Sequence, residues 1–230
     1  MYIAENILKH GLRNVYFLSG TALAGKTTLS RALAEKHGFI HYNDNWHEDS
    51  FQVYRSIINE KYQPYSTAKT LTTDWEAFFG RPLEAFLAEK AGRGEYDEYV
   101  EFALIELIKL SERQTVVADV GIPFGLLSEI SDYKRIACMI TSPVLSTCEN
   151  YGKRDDHREF LECILSLKDP EKKIAVQDAL FRIAIEKALE DADKYKLFSI
   201  VRTPESTVAG TLRLLEEHFG LPAEPVRGRI

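Results

Sequence analysis

Residues 15–38 read VYFLSGTALAGKTTLSRALAEKHG, and this stretch decides the fold. An apolar run ends at Gly20, a short loop closes with Gly25, Lys26 and Thr27, and an amphipathic pattern follows. The loop matches G-x-x-x-x-G-K-[ST] at every fixed position, in the strand, loop and helix context that this phosphate-binding motif requires. A glycine turn with a solvated lysine is the weaker interpretation, because all of these features occur together.

The motif predicts a loop that cradles the phosphates of a nucleotide. Glycines let the backbone fold close around phosphates, while successive N–H groups and the helix N-terminus direct partial positive charge at them. Lys26 is expected to bridge the β and γ phosphates, and Thr27 to place its hydroxyl on Mg²⁺. The predicted nucleotide-binding residues of the loop are Gly20, Thr21, Ala22, Leu23, Ala24, Gly25, Lys26, Thr27 and Thr28.

Short apolar runs recur between helical patterns along the chain, and the later ones are rich in β-branched residues, which favour strands. We predict strands at 15–19, 39–42, 115–120, 135–141 and 197–201. Strands that alternate with helices indicate a parallel sheet covered on both faces, which is the α/β class.

Two intervals between strands are too long for simple crossovers. The interval 44–111 contains helical patterns and predicts a helical, acceptor-binding region. The charged interval 150–170 has the character of a lid, with a long helix expected at 174–195. We therefore predict a single domain over 1–220 and a loosely held tail over 221–230.

Composition favours a small-molecule partner. A chain of 230 residues can bury one core, and its net charge of −6 gives no general attraction for nucleic acid or an anionic membrane. The composition is also compatible with a homodimer. The N-terminus lacks a signal-peptide pattern, and Cys138, Cys148 and Cys163 form no CxxC pair. Structural thiols and a reducing, cytoplasmic setting are therefore expected.

Two carboxylates end predicted strands, at the sheet edge where ligands collect. Asp119 closes the third strand and is expected to support Mg²⁺, although it could instead begin the turn that follows. Asp44 follows the second strand, where it could orient an acceptor hydroxyl and take up its proton. Helix capping by Asp44, or by Asp49 near it, is an equal alternative.

The predicted lid carries Arg154 and Arg158, four residues apart, which would face one way on a helical turn. Two convergent guanidiniums could neutralise charge on a transferring phosphoryl group while closure removes water. The alternative is pairing with Asp155, Asp156 and Glu159 on a solvated surface.

Together these features resemble the P-loop kinase family of nucleoside, nucleotide and small-metabolite kinases, including adenylate-kinase-like and shikimate-kinase-like enzymes. The resemblance rests on the loop at 20–28, Asp44, Asp119 in VVADVGIPFG, and RDDHR at 154–158. It implies a three-layer sandwich around a five-stranded parallel sheet of order 2-3-1-4-5, with ATP and Mg²⁺ as cofactors. It also implies a helical acceptor region after the second strand and an arginine-bearing lid over ATP.

By the same resemblance, the loop after the last strand would lie near the adenine. Its residues are Arg202, Thr203 and Pro204, which could equally form a plain loop leading to a helix N-cap.

The acceptor side departs from the adenylate-kinase-like pattern. Those enzymes have an arginine after a DGFP-type turn to hold an acceptor phosphate, whereas this chain has DVGIPFG, with Phe124 in that place. Arg55 and Arg81 are the remaining candidates to contact the acceptor. Arg81 lies near Trp75, Phe78 and Phe79, aromatic residues whose helical spacing is more typical of a core than of a pocket.

The resemblance implies an enzyme that transfers the γ-phosphoryl group of ATP to a hydroxyl of a small metabolite or nucleoside. Lys26, Arg154 and Arg158 would stabilise charge, and Asp44 would deprotonate the acceptor. A nucleoside monophosphate kinase and a regulatory P-loop NTPase that is not a kinase are the alternatives. A GTPase fits worse, because the sequence contains no N-K-x-D motif.

Overall fold

The computed structural model describes residues 4–43, 75–92, 98–154 and 157–223. Its centre is a five-stranded sheet of order β2-β3-β1-β4-β5, in which every neighbouring pair is parallel. The strands are β1 (Val15–Gly20), β2 (Ile40–Asn43), β3 (Val116–Asp119), β4 (Ile136–Thr141) and β5 (Ser199–Arg202). The predicted fold class and strand order are confirmed.

Helices fill the intervals between the strands. Before β3 they are α1 (Glu5–Gly11), α2 (Lys26–His37), α3 (Trp75–Phe79), α4 (Leu83–Gly92) and α5 (Glu98–Ser111). After β3 they are α6 (Phe124–Ile130), a 3₁₀ turn (Tyr133–Arg135), α7 (Cys148–Gly152), α8 (Arg158–Leu165), α9 (Pro170–Lys194) and α10 (Val208–Phe219).

Two hydrophobic cores lie on opposite faces of the sheet. Every residue of β3 and β4 is buried, as expected for inner strands of a parallel sheet covered on both faces. One core joins β-strand residues to α5, α6 and α9, for example through Leu107, Leu127 and Ile185. The other joins the sheet to α2 and α10 through Leu33 and Leu215. The three-layer sandwich follows from this arrangement.

A smaller third cluster, here called the satellite cluster, joins the predicted acceptor region to the predicted lid. Its buried members are Phe79 of α3, Cys148 of α7 and Ile164 of α8. The Glu76 carboxylate pairs with the buried Lys173 ammonium of α9, and it also accepts a hydrogen bond from the Lys168 backbone N–H at 3.0 Å. The two segments that the sequence presents as separate excursions therefore pack on each other.

The long helix α9 begins at Pro170, four residues before the predicted start at 174. Proline suits the first position of a helix, because its missing N–H would have no partner there and its φ is already helical. Asp169 precedes it in the left-handed conformation, with φ 51°. The charged PEKK segment thus belongs to the helix rather than to the loop before it.

The parallel register brings the chemically important residues to one edge of the sheet. Asn43 is level with Asp119, and Asp119 is level with Leu18, two residues before the loop begins. On the other side of β1, Gly20 is level with Met139. The carboxyl ends of β2, β3 and β4 therefore surround the start of the phosphate-binding loop.

The described part of the predicted tail is partly packed. Leu221 lies against the core on the α10 side, and its N–H donates to the Glu216 carbonyl at 2.8 Å. Residues 224–230 lie outside the described residues. Within the described ranges, no helix combines the length and apolar character needed to cross a bilayer.

His218 of α10 is buried where this helix packs on the sheet, and its burial makes the free energy of unfolding depend on pH. Its Nε2 lies 3.0 Å from the Tyr133 carbonyl and 2.9 Å from that of Ile136, so this nitrogen carries the proton. Burial, with the nearby Lys134 charge, lowers the pKa of His218 below its usual 6.5. The folded chain therefore favours the neutral ring, while the unfolded chain takes up a proton near pH 6.5.

We expect His218 to stabilise the fold fully above pH 6.5 and to lose that contribution as the pH falls toward its lowered folded pKa. Urea unfolding at pH 7.5 and pH 5.5 measures the loss. His218→Gln keeps an amide donor without a titrating ring, so its stability should fall less over this interval. Equal losses in the two proteins would contradict the assignment.

Candidate nucleotide-binding site

The loop from Gly20 to Lys26 has the backbone conformation that its glycines permit. Gly20 has φ 138°, and a Cβ placed on it would lie 1.9 Å from the Met139 carbonyl oxygen of β4. Gly25 has φ 86° and is the N-cap of α2. Leu23 adopts φ 62°, a left-handed conformation that is uncommon for a residue with a side chain.

Neighbouring strands hold the loop at both sides of its apex. The Thr21 N–H donates to the Met139 carbonyl at 3.0 Å, and the Thr141 N–H donates to Thr21 Oγ1 at 2.8 Å. From the end of β5, Arg202 Nη1 donates to the Leu23 carbonyl at 2.5 Å. The loop is therefore fixed to β4 and β5 as well as to β1.

Lys26 is the first residue of α2, and its side chain folds back along the loop. Its ammonium donates to the Thr21 carbonyl at 2.9 Å and to the Gly20 carbonyl at 3.4 Å. Because Gly25 has no side chain that could cap the helix, the first N–H groups of α2 remain suitable for an anion. The cation and the helix N-terminus thus lie at the same end of the loop.

Thr27, Asp119 and Asn43 form a hydrogen-bonded group beside the lysine. Thr27 Oγ1 donates to Asp119 Oδ2 at 2.5 Å, and Asn43 Nδ2 donates to the same oxygen at 3.1 Å. Asp119 and Asn43 are both buried. Thr27 and Asp119, which the sequence analysis assigns separately to the support of Mg²⁺, are therefore hydrogen-bonded to each other, and their binding of a metal ion stays a prediction.

Asn43 is a site residue that the sequence analysis missed. It lies directly before Asp44, which the sequence favours as the acid–base group because carboxylates usually fill that role. The signal in the sequence was its position at the end of the second strand. The parallel register that sets it level with Asp119 is visible in the folded sheet.

The loop after β5 leads to a helix N-cap, as one of its two predicted interpretations has it, and Arg202 makes a contact that neither interpretation includes. Arg202 contacts the phosphate-binding loop, whereas the Thr203 N–H donates to Ser206 Oγ at 2.9 Å in a turn that also contains Pro204. Thr207 then caps α10 by accepting from the Gly210 N–H at 3.1 Å. Proximity of these residues to an adenine stays a prediction.

The two lid arginines do not share one continuous helix. Arg154 lies in the bend after α7, and Arg158 is the first residue of α8. The His157 N–H donates to the Arg154 carbonyl at 3.0 Å, and the His157 ring lies 4.1 Å from that of Tyr151. This hydrogen bond joins Arg154 to the residue before Arg158, and the convergence of Arg154 and Arg158 on a phosphate stays a prediction.

Arg81 contacts aromatic rings. Its guanidinium carbon lies 4.5 Å from the Phe78 ring centre and 4.1 Å from that of Phe86, and its Nε donates to the Phe78 carbonyl at 3.2 Å. Trp75 and Phe79 stack at 5.6 Å and belong to the satellite cluster. These aromatic residues pack as core. The other acceptor candidates, Asp44 and Arg55, lie outside the described residues.

The three thiols occupy helices and a strand. Cys138 is buried in β4, where burial raises its pKa to about 12. Cys148, at the start of α7, has a pKa raised to about 11 by burial and by the Asp178 charge. Burial also raises the pKa of Cys163 in α8. Groups held in the thiol form are poor nucleophiles, so we assign these cysteines to packing.

No family model matches the sequence, and no curated protein matches it. Among solved structures, a shikimate kinase from Acinetobacter baumannii, in complex with shikimate, matches 90% of this chain and 93% of its own, at 16% identity and a TM-score of 0.47. A shikimate kinase from Bacteroides thetaiotaomicron matches 90% of this chain and 98% of its own, at 18% identity and a TM-score of 0.43. At these sequence identities and TM-scores, the substrate and the reaction of those enzymes are not assigned to this chain.

The two loop glycines provide a matched test of the loop geometry. Gly20→Ala combines a left-handed φ with a clash against the β4 backbone, so we expect a loss of at least about 3 kcal/mol in the free energy of unfolding. Gly25→Ala meets only ordinary contacts, the nearest being Leu29 at 3.8 Å, and should cost about 1–2 kcal/mol for its φ alone. Urea unfolding compares them, and equal costs would contradict the close approach of Gly20 to Met139.

Proposed function

We propose that this protein is an ATP- and Mg²⁺-dependent kinase that transfers the γ-phosphoryl group to a hydroxyl of a small metabolite or nucleoside. The observation that carries the proposal is the hydrogen bond from Thr27 to Asp119, formed beside Lys26 at the end of a left-handed glycine loop. Groups that would bind phosphates, neutralise charge and support a metal ion thereby lie at one edge of the sheet, which supports the proposal.

Phosphate binding would use groups that the chain already directs to the loop. The open N-terminus of α2 offers backbone N–H donors and the positive end of a helix dipole. Within the described residues, the Lys26 ammonium donates to neutral loop carbonyls, and a triphosphate would offer it stronger, charged acceptors. Binding would therefore draw the lysine from the loop backbone to the phosphates.

The donor set near Thr27 fits Mg²⁺, which prefers hard oxygen ligands and keeps several waters. Because the Thr27 hydroxyl donates a hydrogen bond to Asp119 Oδ2, the lone pairs of Thr27 Oγ1 can face a cation. The Asn43 amide holds the same carboxylate in orientation. When bound, Mg²⁺ would neutralise charge on the phosphates.

The acceptor side supports a hydroxyl rather than a phosphate. Phe124, which stands where adenylate-kinase-like enzymes have an arginine, is the first residue of α6, is buried in the core and offers no charge to an acceptor. A phosphate acceptor would need cationic partners, which the chain does not supply at this position. We assign Asp44 as the base that takes the hydroxyl proton, with Arg154 and Arg158 stabilising the transferring group.

Lys26→Ala is the first test. We expect phosphoryl transfer to fall on the order of 100- to 1,000-fold, because the variant loses a charge that contacts the phosphates, while the urea midpoint stays unchanged. The assay follows ADP release with a panel of sugars, nucleosides, shikimate-like alcohols and nucleoside monophosphates. Lys109→Ala, an exposed lysine of α5, is the matched control.

Three outcomes of this assay separate the candidate functions. Turnover in Lys26→Ala equal to that of the wild type contradicts the assignment of the loop. Acceleration by monophosphates alone indicates a nucleoside monophosphate kinase. ADP formation that no acceptor accelerates indicates a regulatory NTPase.

Asp119→Asn tests the metal support separately. The amide can still accept from Thr27 but lacks the negative charge, so the Mg²⁺ concentration for half-maximal activity should rise about 10- to 100-fold. Calorimetry with ATP in EDTA should show unchanged metal-free binding. Asp193→Asn, which changes an exposed carboxylate in the last turn of α9, is the control. An unaltered Mg²⁺ requirement in Asp119→Asn would contradict the role given to this carboxylate.

A further inference from the structure

We propose that Arg202 is a positioning residue that holds the apex of the phosphate-binding loop, and that it thereby sets affinity for the triphosphate rather than for the base. The inference rests on the proposed function, since it concerns the same loop. It departs from the role that the sequence suggests for Arg202, which is contact with an adenine.

The apex of the loop adopts a conformation that needs support. Leu23 has φ 62°, and a left-handed conformation costs a non-glycine residue free energy unless its surroundings maintain it. The loop residues on either side of this apex, Gly20 and Gly25, also have positive φ. An isolated loop of this kind would visit other conformations.

Arg202 contacts the apex from a fixed position. Its backbone lies level with Thr141 in the β4–β5 pairing, and its carbonyl accepts from the Ser142 N–H at 2.8 Å. From there its Nη1 reaches the Leu23 carbonyl at 2.5 Å, and its Cδ would lie 3.9 Å from a Cβ built on Gly25. The side chain therefore runs along the loop and ends at the strained residue.

Fixing the Leu23 carbonyl also fixes a donor. In a planar trans peptide the carbonyl of one residue and the N–H of the next point in opposite directions. Arg202 holds the Leu23 carbonyl, so it also sets the direction of the Ala24 N–H. That N–H is one of the donors that a phosphate in the loop would use. Arg202 thus acts on phosphate binding through the backbone.

This role differs measurably from contact with a base or from simple attraction by a positive charge. A residue that organises the loop affects every ligand that places phosphates there, including one without a base or a ribose. Long-range attraction would be retained by lysine and would fade at high salt. Lysine ends one bond earlier than the guanidinium, so it keeps the charge without reaching the carbonyl in the same way.

Isothermal calorimetry with ATP and with inorganic tripolyphosphate, both in excess Mg²⁺, tests the proposal on the full chain. We expect Arg202→Ala to weaken both ligands by the same factor, roughly five- to twentyfold, because it removes one charged hydrogen bond that preorganises the loop. Arg202→Lys should restore less than half of that loss, and the factor should persist at 0.5 M salt. Arg213→Ala, an exposed arginine of α10, should bind as the wild type does.

Each contrary result has its own meaning. Weakened ATP binding with unchanged tripolyphosphate binding in Arg202→Ala overturns the proposal in favour of base contact. Full rescue by Arg202→Lys, or loss of the effect at high salt, overturns it in favour of charge alone. A wild-type chain that binds neither ligand contradicts the proposed function itself and this inference with it. Because Arg202 is exposed, both variants should unfold at the wild-type urea midpoint.

Discussion

The close approach of Gly20 to the Met139 carbonyl is the constraint on which the site depends. It lets β1 end against β4 without a side chain between them, so the loop can turn at that point and be held by Thr21. This turn of the loop places Lys26 at the start of α2 and Thr27 within hydrogen-bond distance of Asp119. A Cβ at position 20 would displace the loop and separate these groups.

The sequence predicted the glycine-rich loop and the strands beside it because their determinants are local. The loop motif, the strands beside it and Asp119 lie within short stretches whose residue types and spacing specify a conformation. Parallel pairing then brings the carboxyl ends of the strands to one edge of the sheet, which is why the sequence could indicate Thr27 and Asp119 as neighbours of one metal ion without predicting the hydrogen bond between them.

Contacts between distant segments could not be predicted in the same way. Arg202 meets Leu23 across 179 residues, and Asn43 meets Asp119 across 76, so each depends on the completed sheet. The start of α9 was misplaced for another reason. Its first turn, PEKK, is too polar for hydrophobic periodicity to mark, and the proline that begins the helix was the better signal.

The satellite cluster changes how the predicted acceptor region and lid relate to each other. Phe79 meets Phe160 with ring centres 5.8 Å apart, and Lys173, buried at the start of α9, depends on Glu76 of α3 for its charge partner. Separating the segments would expose the aromatic rings and leave a buried ammonium unpaired, both of which are costly. Hydrogen bonding to the same lysine lowers the pKa of Glu76, so its carboxylate stays charged at neutral pH. These contacts therefore hold α3 and α8 together, so the predicted acceptor region and the predicted lid form one packed unit in their described residues.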